Sequence, residues 1–113
     1  MVALVFPALP TVTLAVTGRP ERFPVRRIFC VGRNYAEHAK EMGADPEAEP
    51  PFFFTKPAVA IVESGSRIPY PPATNNLHHD GQLVVAIGKS GTIVSEEDAP
   101  ALIWGHAAVN DLT

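Results

Sequence analysis

Cysteine is nearly missing from this chain. Cys30 stands alone, so no internal disulfide can form, and a reducing cytoplasmic setting is the natural expectation. Basic clusters are missing too. Nine Lys and Arg against twelve Asp and Glu leave a formal net charge of −3, which argues against nucleic acid as a partner. Long apolar runs are also wanting: the stretch from Met1 to Leu9 contains Pro7 and falls far short of the ~20 residues a membrane-spanning helix needs. The same stretch lacks the basic start of a secretion signal. The chain reads as soluble and cytoplasmic, with no membrane partner.

Proline, by contrast, is plentiful. Twelve prolines in 113 residues favour short strands separated by rigid turns. An apolar share of 46% and a charged share of 19% are globular values. The length suits one small domain or a piece of a larger one.

The segment Asn76 to Lys89, N-L-H-H-D-G-Q-L-V-V-A-I-G-K, organises the rest. Val84 to Ile87 reads as a buried strand bounded by the glycine-punctuated connection Gly88–Gly91, with Thr92–Val94 as the return strand of a hairpin. Asp80 and Gln82 stand two apart, so on a strand their oxygens share one face. Two oxygen donors on one face are half of a hard-cation site; a solvated polar strand entrance is the plainer reading of the same pair. A zinc site from His78, His79 and His106 is disfavoured, because adjacent strand residues point to opposite faces.

Elsewhere, Thr11–Val16 alternates as a half-buried strand and Thr17–Pro20 reads as a turn. Arg26 and Arg27 form a solvated entrance to the strand Ile28–Val31, which Gly32 ends. Asn34 to Met42 predicts a two-turn helix, with Asn34 as N-cap, Glu37 completing a capping box and Gly43 as the stop. His38 and Glu41 are neighbours on one face of it. A carboxylate beside an imidazole fixes which ring nitrogen carries the proton, as a water-activating base requires; an exposed pair is the bland alternative. Phe52–Thr55 reads as a core strand, and Val59–Val62 as a further strand. Lys56 could steady a substrate carboxylate or lie plainly on the surface. Asp98 predicts the cap of a short helix with Pro100 in its first turn, Gly105 its close, and His106–Thr113 a final strand.

The central stretch, together with V-G-R-N-Y-A-E-H-A-K-E-M upstream and G-H-A-A-V-N-D-L-T downstream, resembles the fumarylacetoacetate hydrolase family, and within it the acylpyruvate and fumarylpyruvate hydrolases. The resemblance runs from Ile28 to Thr113. It implies an α+β, mainly β fold: a mixed β-sheet roll, part of a rolled β-sandwich, with two short helices. Residues 1–24 read as a β extension from their own alternation, and over 25–113 the resemblance implies a catalytic domain whose second half lies beyond this sequence. The resemblance implies Mg²⁺ or Mn²⁺ held at Asp80, Gln82 and Asp111, with His38 and Glu41 as the water-activating dyad and residues 42–51 as a lid. The reaction implied is hydrolysis of a carbon–carbon bond in a 2,4-dioxo acid, releasing pyruvate, by a homodimer acting on a small 2-oxo acid. Decarboxylation of oxaloacetate is a second outcome on the same scaffold.

Two positions depart from the family pattern, which places an E-x-E where this chain has Asp80-Gly81-Gln82. Asp80 is shorter by a methylene, and Gln82 keeps an oxygen but loses the charge. A more weakly held cation is the consequence. A truncated, non-catalytic remnant that binds a partner through exposed sheet edges is the alternative from another class.

Overall fold

The computed structural model describes residues 2–32 and 50–113. They form two compact units, one reaching to Ser66 and one from Arg67 to Thr113. The described residues are mainly β, with six strands and two short 3-10 turns. The strands pair into three separate two-stranded ladders, each antiparallel.

The first unit opens with a hairpin of β1 (Val12–Val16) and β2 (Arg19–Val25). Its turn is shorter than the sequence suggests. Gly18, at φ 82°, takes the left-handed conformation that a tight reversal needs, so Arg19 and Pro20 already belong to β2. Arg22 ties the hairpin together: its Nε donates to Thr13 Oγ1 at 2.8 Å and its Nη2 to the Thr13 carbonyl at 3.1 Å. The same guanidinium is ion-paired with Glu63.

β3 (Ile28–Gly32) and β4 (Phe52–Lys56) pair from Ile28 opposite Lys56 to Gly32 opposite Phe52. The Phe52 ring lies where a Cβ on Gly32 would be, so a side chain at position 32 would have to displace that half-exposed ring. Phe52 and Phe54 share a face, their ring centroids 6.0 Å apart. The reading of Phe52–Thr55 as core needs correction. Phe53 is 68% exposed, and its two phenylalanine neighbours are exposed as well. A two-stranded ladder with apolar residues on both faces cannot bury either by itself. Arg27 is not simply solvated, since its guanidinium sits 5.6 Å from the centre of the Phe29 ring.

Val59–Val62 is not a strand. After Pro57 the chain makes a 3-10 turn over Ala58–Ala60. The Ala60 N–H donates to the Pro57 carbonyl and the Ile61 N–H to that of Ala58, at 3.0 and 3.1 Å. Local bonds here replace the ladder bonds a strand would need. The expected helix Asn34–Met42 and the loop after it, up to residue 49, lie outside the described residues.

The second unit is built on β5 (His79–Ile87) and β6 (Ile103–Leu112), paired from His79 opposite Leu112 to Ile87 opposite Ile103. The partner of β5 is therefore not Thr92–Val94. Ile93 has φ 52°, a left-handed conformation that a β-branched residue adopts only under strain and that ends any strand. The chain instead carries on to Ser95, whose Oγ accepts the Asp98 N–H at 3.2 Å. A 3-10 turn follows over Ala99–Leu102, with Asp98 at its cap and Pro100 in its first turn. Because this helix is one turn long, Gly105 does not close it. Gly105 lies in β6, opposite Ala86, and the last strand starts at Ile103 rather than His106.

Candidate functional site

The β5–β6 register sets out the candidate site. Alternation along β5 puts Asp80, Gln82, Val84 and Ala86 on one face and His79, Leu83, Val85 and Ile87 on the other. Burial follows the same alternation. Gln82, Val84 and Ala86 are half-buried, whereas Leu83 is 63% exposed. Directly paired residues share a face, and Asp80 stands opposite Asp111. Three oxygen-bearing side chains thus share one face near one end of the ladder: Asp80, Gln82 and Asp111.

Their hydrogen bonds are specific. Gln82 Nε2 donates to Asp80 Oδ2 at 3.0 Å. The backbone N–H of Asp80 donates to Asn110 Oδ1 at 3.2 Å. Beyond them the ladder is closed by a reciprocal backbone pair, His78 to Thr113 at 2.7 Å and Thr113 to His78 at 2.9 Å. The approach to the strand is held by Tyr70, whose hydroxyl accepts the Leu77 N–H at 3.0 Å.

Like charges placed directly opposite on an antiparallel pair repel. Asp80 facing Asp111 therefore carries a like-charge repulsion that a cation between them would relieve. The donors are all oxygens, which suits Mg²⁺ or Mn²⁺ and not a thiophilic metal. The residues present fit a hard divalent cation. Among the described residues no three His, Cys, Asp or Glu side chains converge as a metal site, and a third donor on this face could come from the Gln82 amide. The histidines do not gather: His79 faces away from Asp80, and His106 lies opposite Val85.

Of the remaining candidates, Lys56 ends β4 opposite Ile28, in the unit that reaches to Ser66. His38 and Glu41 lie outside the described residues. Asn110 is the residue the sequence reading passed over. Its signal was adjacency to Asp111, but only the hydrogen bond in the folded chain shows that its side chain meets the main chain of Asp80.

A strand-borne pair of carboxylates with an amide beside it, on a mainly β domain, is a set of oxygen donors that could hold a hard cation. Sequence comparison supplies the family. Residues 27–113 match the profile described as fumarylacetoacetate (FAA) hydrolase C-terminal, and the chain belongs to that family. It is 49% identical over 69 residues to a fumarylpyruvate hydrolase of a Ralstonia species, covering 61% of this chain and 36% of that protein. It is 41% identical over 92 residues to an oxaloacetate tautomerase of Bacillus subtilis, covering 80% of this chain and 31% of that protein. Among solved structures, a fumarylpyruvate hydrolase from Pseudomonas aeruginosa in complex with Mn²⁺ and pyruvate superimposes with a TM-score of 0.90 at 49% identity. That superposition covers 98% of this chain and 49% of the other. The chain thus spans roughly a third of those two curated relatives and about half of the solved neighbour.

Proposed function

We propose that this chain forms part of a metal-dependent hydrolase that cleaves a carbon–carbon bond in 2,4-dioxo acids of the acylpyruvate or fumarylpyruvate type and releases pyruvate. The observation that carries the reading is Asp80 facing Asp111 across the ladder with Gln82 on the same face. Support comes from the Pseudomonas relative, whose crystal structure holds Mn²⁺ and pyruvate. On this reading residues 25–113 belong to the catalytic domain, its strands to a rolled β-sandwich, and residues 1–24 extend it.

Asp80 and Asp111 would hold the cation with their carboxylates, and Gln82 would add a neutral oxygen while its N–H steadies Asp80. When bound, the cation supplies positive charge that stabilises the enolate of the departing pyruvate. His38 takes a proton from water as the oxygen bonds to the distal carbonyl carbon, and Glu41 holds the imidazole for that transfer. The carbon–carbon bond then breaks, its electron pair leaves with the pyruvate fragment, and a proton returned to that carbon completes pyruvate. Lys56 is assigned a weaker role against the substrate carboxylate.

A second reading is favoured by a different observation. Relatives named as oxaloacetate tautomerases share 41–42% identity with this chain. Tautomerisation of oxaloacetate needs the same enolate stabilisation but no attacking water, and decarboxylation of oxaloacetate would share that need. One experiment separates these readings: the protein with Mn²⁺ is offered an acylpyruvate, fumarylpyruvate and oxaloacetate, while pyruvate is counted and the enol absorbance followed. Pyruvate from the dioxo acids supports the hydrolase. Loss of the oxaloacetate enol without pyruvate supports the tautomerase, and pyruvate from oxaloacetate the decarboxylase. No turnover of any of them, with Mn²⁺ bound, leaves a non-catalytic binding module.

A further inference from the structure

Beyond its place in the ladder opposite Asp111, Asp80 is held at two atoms. Gln82 Nε2 reaches its carboxylate, and Asn110 Oδ1 accepts its backbone N–H at 3.2 Å. Asn110 pairs in register with Gly81, not with Asp80, so this contact is diagonal and links the main chain of one carboxylate residue to the immediate neighbour of the other. Gly81 offers no side chain of its own, and a Cβ built there would meet nothing within 4 Å. The main chain between Asp80 and Gln82 therefore gains no side-chain packing from residue 81, and glycine loosens a strand at this position. A fixed spacing between Asp80 and Asp111 matters because a small hard cation tolerates little departure from its bond lengths.

We propose that Asn110 is a positioning residue, whose amide oxygen clamps the Asp80 backbone and so sets the separation of the two carboxylates. The inference rests on the metal reading above. Asn110 touches neither substrate nor cation on this account; it acts through Asp80. Its role is carried by an acceptor at Oδ1, and this distinguishes it from packing.

The test is Mn²⁺ titration of the purified protein, with free Mn²⁺ followed by its electron paramagnetic resonance signal. Asn110→Leu keeps the volume and removes the acceptor, Asn110→Ala removes both, and Asn110→Asp keeps the acceptor. Loss of one hydrogen bond predicts about a fivefold weaker Mn²⁺ affinity for the Leu and Ala variants alike. Asn110→Asp should bind at least as tightly as the parent. Circular dichroism of each variant checks folding, and if Leu and Ala prove unfolded, a rise in the exchange rate of the Asp80 amide in Asn110→Ser decides in their place. Parental affinity in a folded Asn110→Leu variant overturns the inference and leaves the metal reading standing. Failure of the parent itself to take up Mn²⁺ overturns the metal reading, and the inference with it.

Discussion

The β3–β4 and β5–β6 ladders are built alike and differ in what they hold. Both are antiparallel and rich in aliphatic or aromatic residues. β3–β4 pairs five positions and carries apolar side chains on both faces, with Phe29, Val31 and Phe53 on one and Ile28, Cys30, Phe52 and Phe54 on the other. β5–β6 pairs nine positions. Its aliphatic run stops at one end, where Asp80, Gln82 and Asp111 occupy a single face. On the metal reading, chemistry lies where the apolar pattern gives way, since a local rule is broken there. Opposed carboxylates are a poor choice for a sheet and a good one for a cation.

That contrast predicts separable effects. The largest should come from the carboxylates. Asp80→Asn or Asp111→Asn removes one of two formal charges from the site, and Mn²⁺ affinity should fall at least ~100-fold, or about 2.7 kcal/mol. Titration calorimetry reads this directly. Affinity within about threefold of the parent, an order-of-magnitude allowance for substitution noise, would sink the metal reading of this face.

The next effect belongs to the other ladder. A side chain at position 32 collides with the Phe52 ring, so Gly32→Val should lower stability in urea by about 1–3 kcal/mol. The folded fraction should still bind Mn²⁺ as the parent does. A loss of affinity that accompanies the loss of stability would show that the two ladders are not independent.

A gain of function ranks third. Asp80→Glu combined with Gln82→Glu restores the family's E-x-E, lengthening one donor and charging the other. Affinity for Mg²⁺ or Mn²⁺ should rise about tenfold or more, roughly 1.4 kcal/mol. An unchanged affinity would mean that Asp80 and Gln82 do not face the cation, and the non-catalytic reading would move ahead.

The same contrast explains what could be read from the residues beforehand. Strand β5 follows from its apolar run Val84–Ile87, and the shared face of Asp80 and Gln82 from strand alternation, both local signals. The expected burial of the whole run fails, since Val85 and Ile87 are exposed. The partner of β5 does not follow from local signals. Gly88 and Gly91 look like a hairpin connection, and turn chemistry favours the nearest apolar run, Thr92–Val94, yet Ile93 turns left-handed and the pairing passes to β6. Pairing over that distance is decided by the whole ladder, not by the turn. For this reason the opposition of Asp80 and Asp111, and the contact of Asn110 with Asp80, were out of reach of spacing arguments. The misreadings at Val59–Val62 and Gly105 have a similar origin: single 3-10 turns carry too few residues to show a period.

The smallest effect is the most discriminating, since it has the opposite sign to intuition. In metal-free protein, Asp80 and Asp111 are like charges in direct cross-strand register, a placement that costs about 0.2–1 kcal/mol. Asp111→Asn should therefore make the chelated protein more stable by that amount in urea unfolding, with the gain shrinking at high salt as the repulsion is screened. Adding Mn²⁺ should reverse the order. Ligand binding to the native state stabilises by RT ln(1 + [L]/Kd), about 2.7 kcal/mol at a hundred times Kd, and the parent alone would collect most of it. A crossing of the two stability curves on metal addition identifies a site kept at the expense of the sheet. If Asp111→Asn is the less stable protein even under chelation, Asp111 is holding the ladder together, and its placement opposite Asp80 is structural rather than functional.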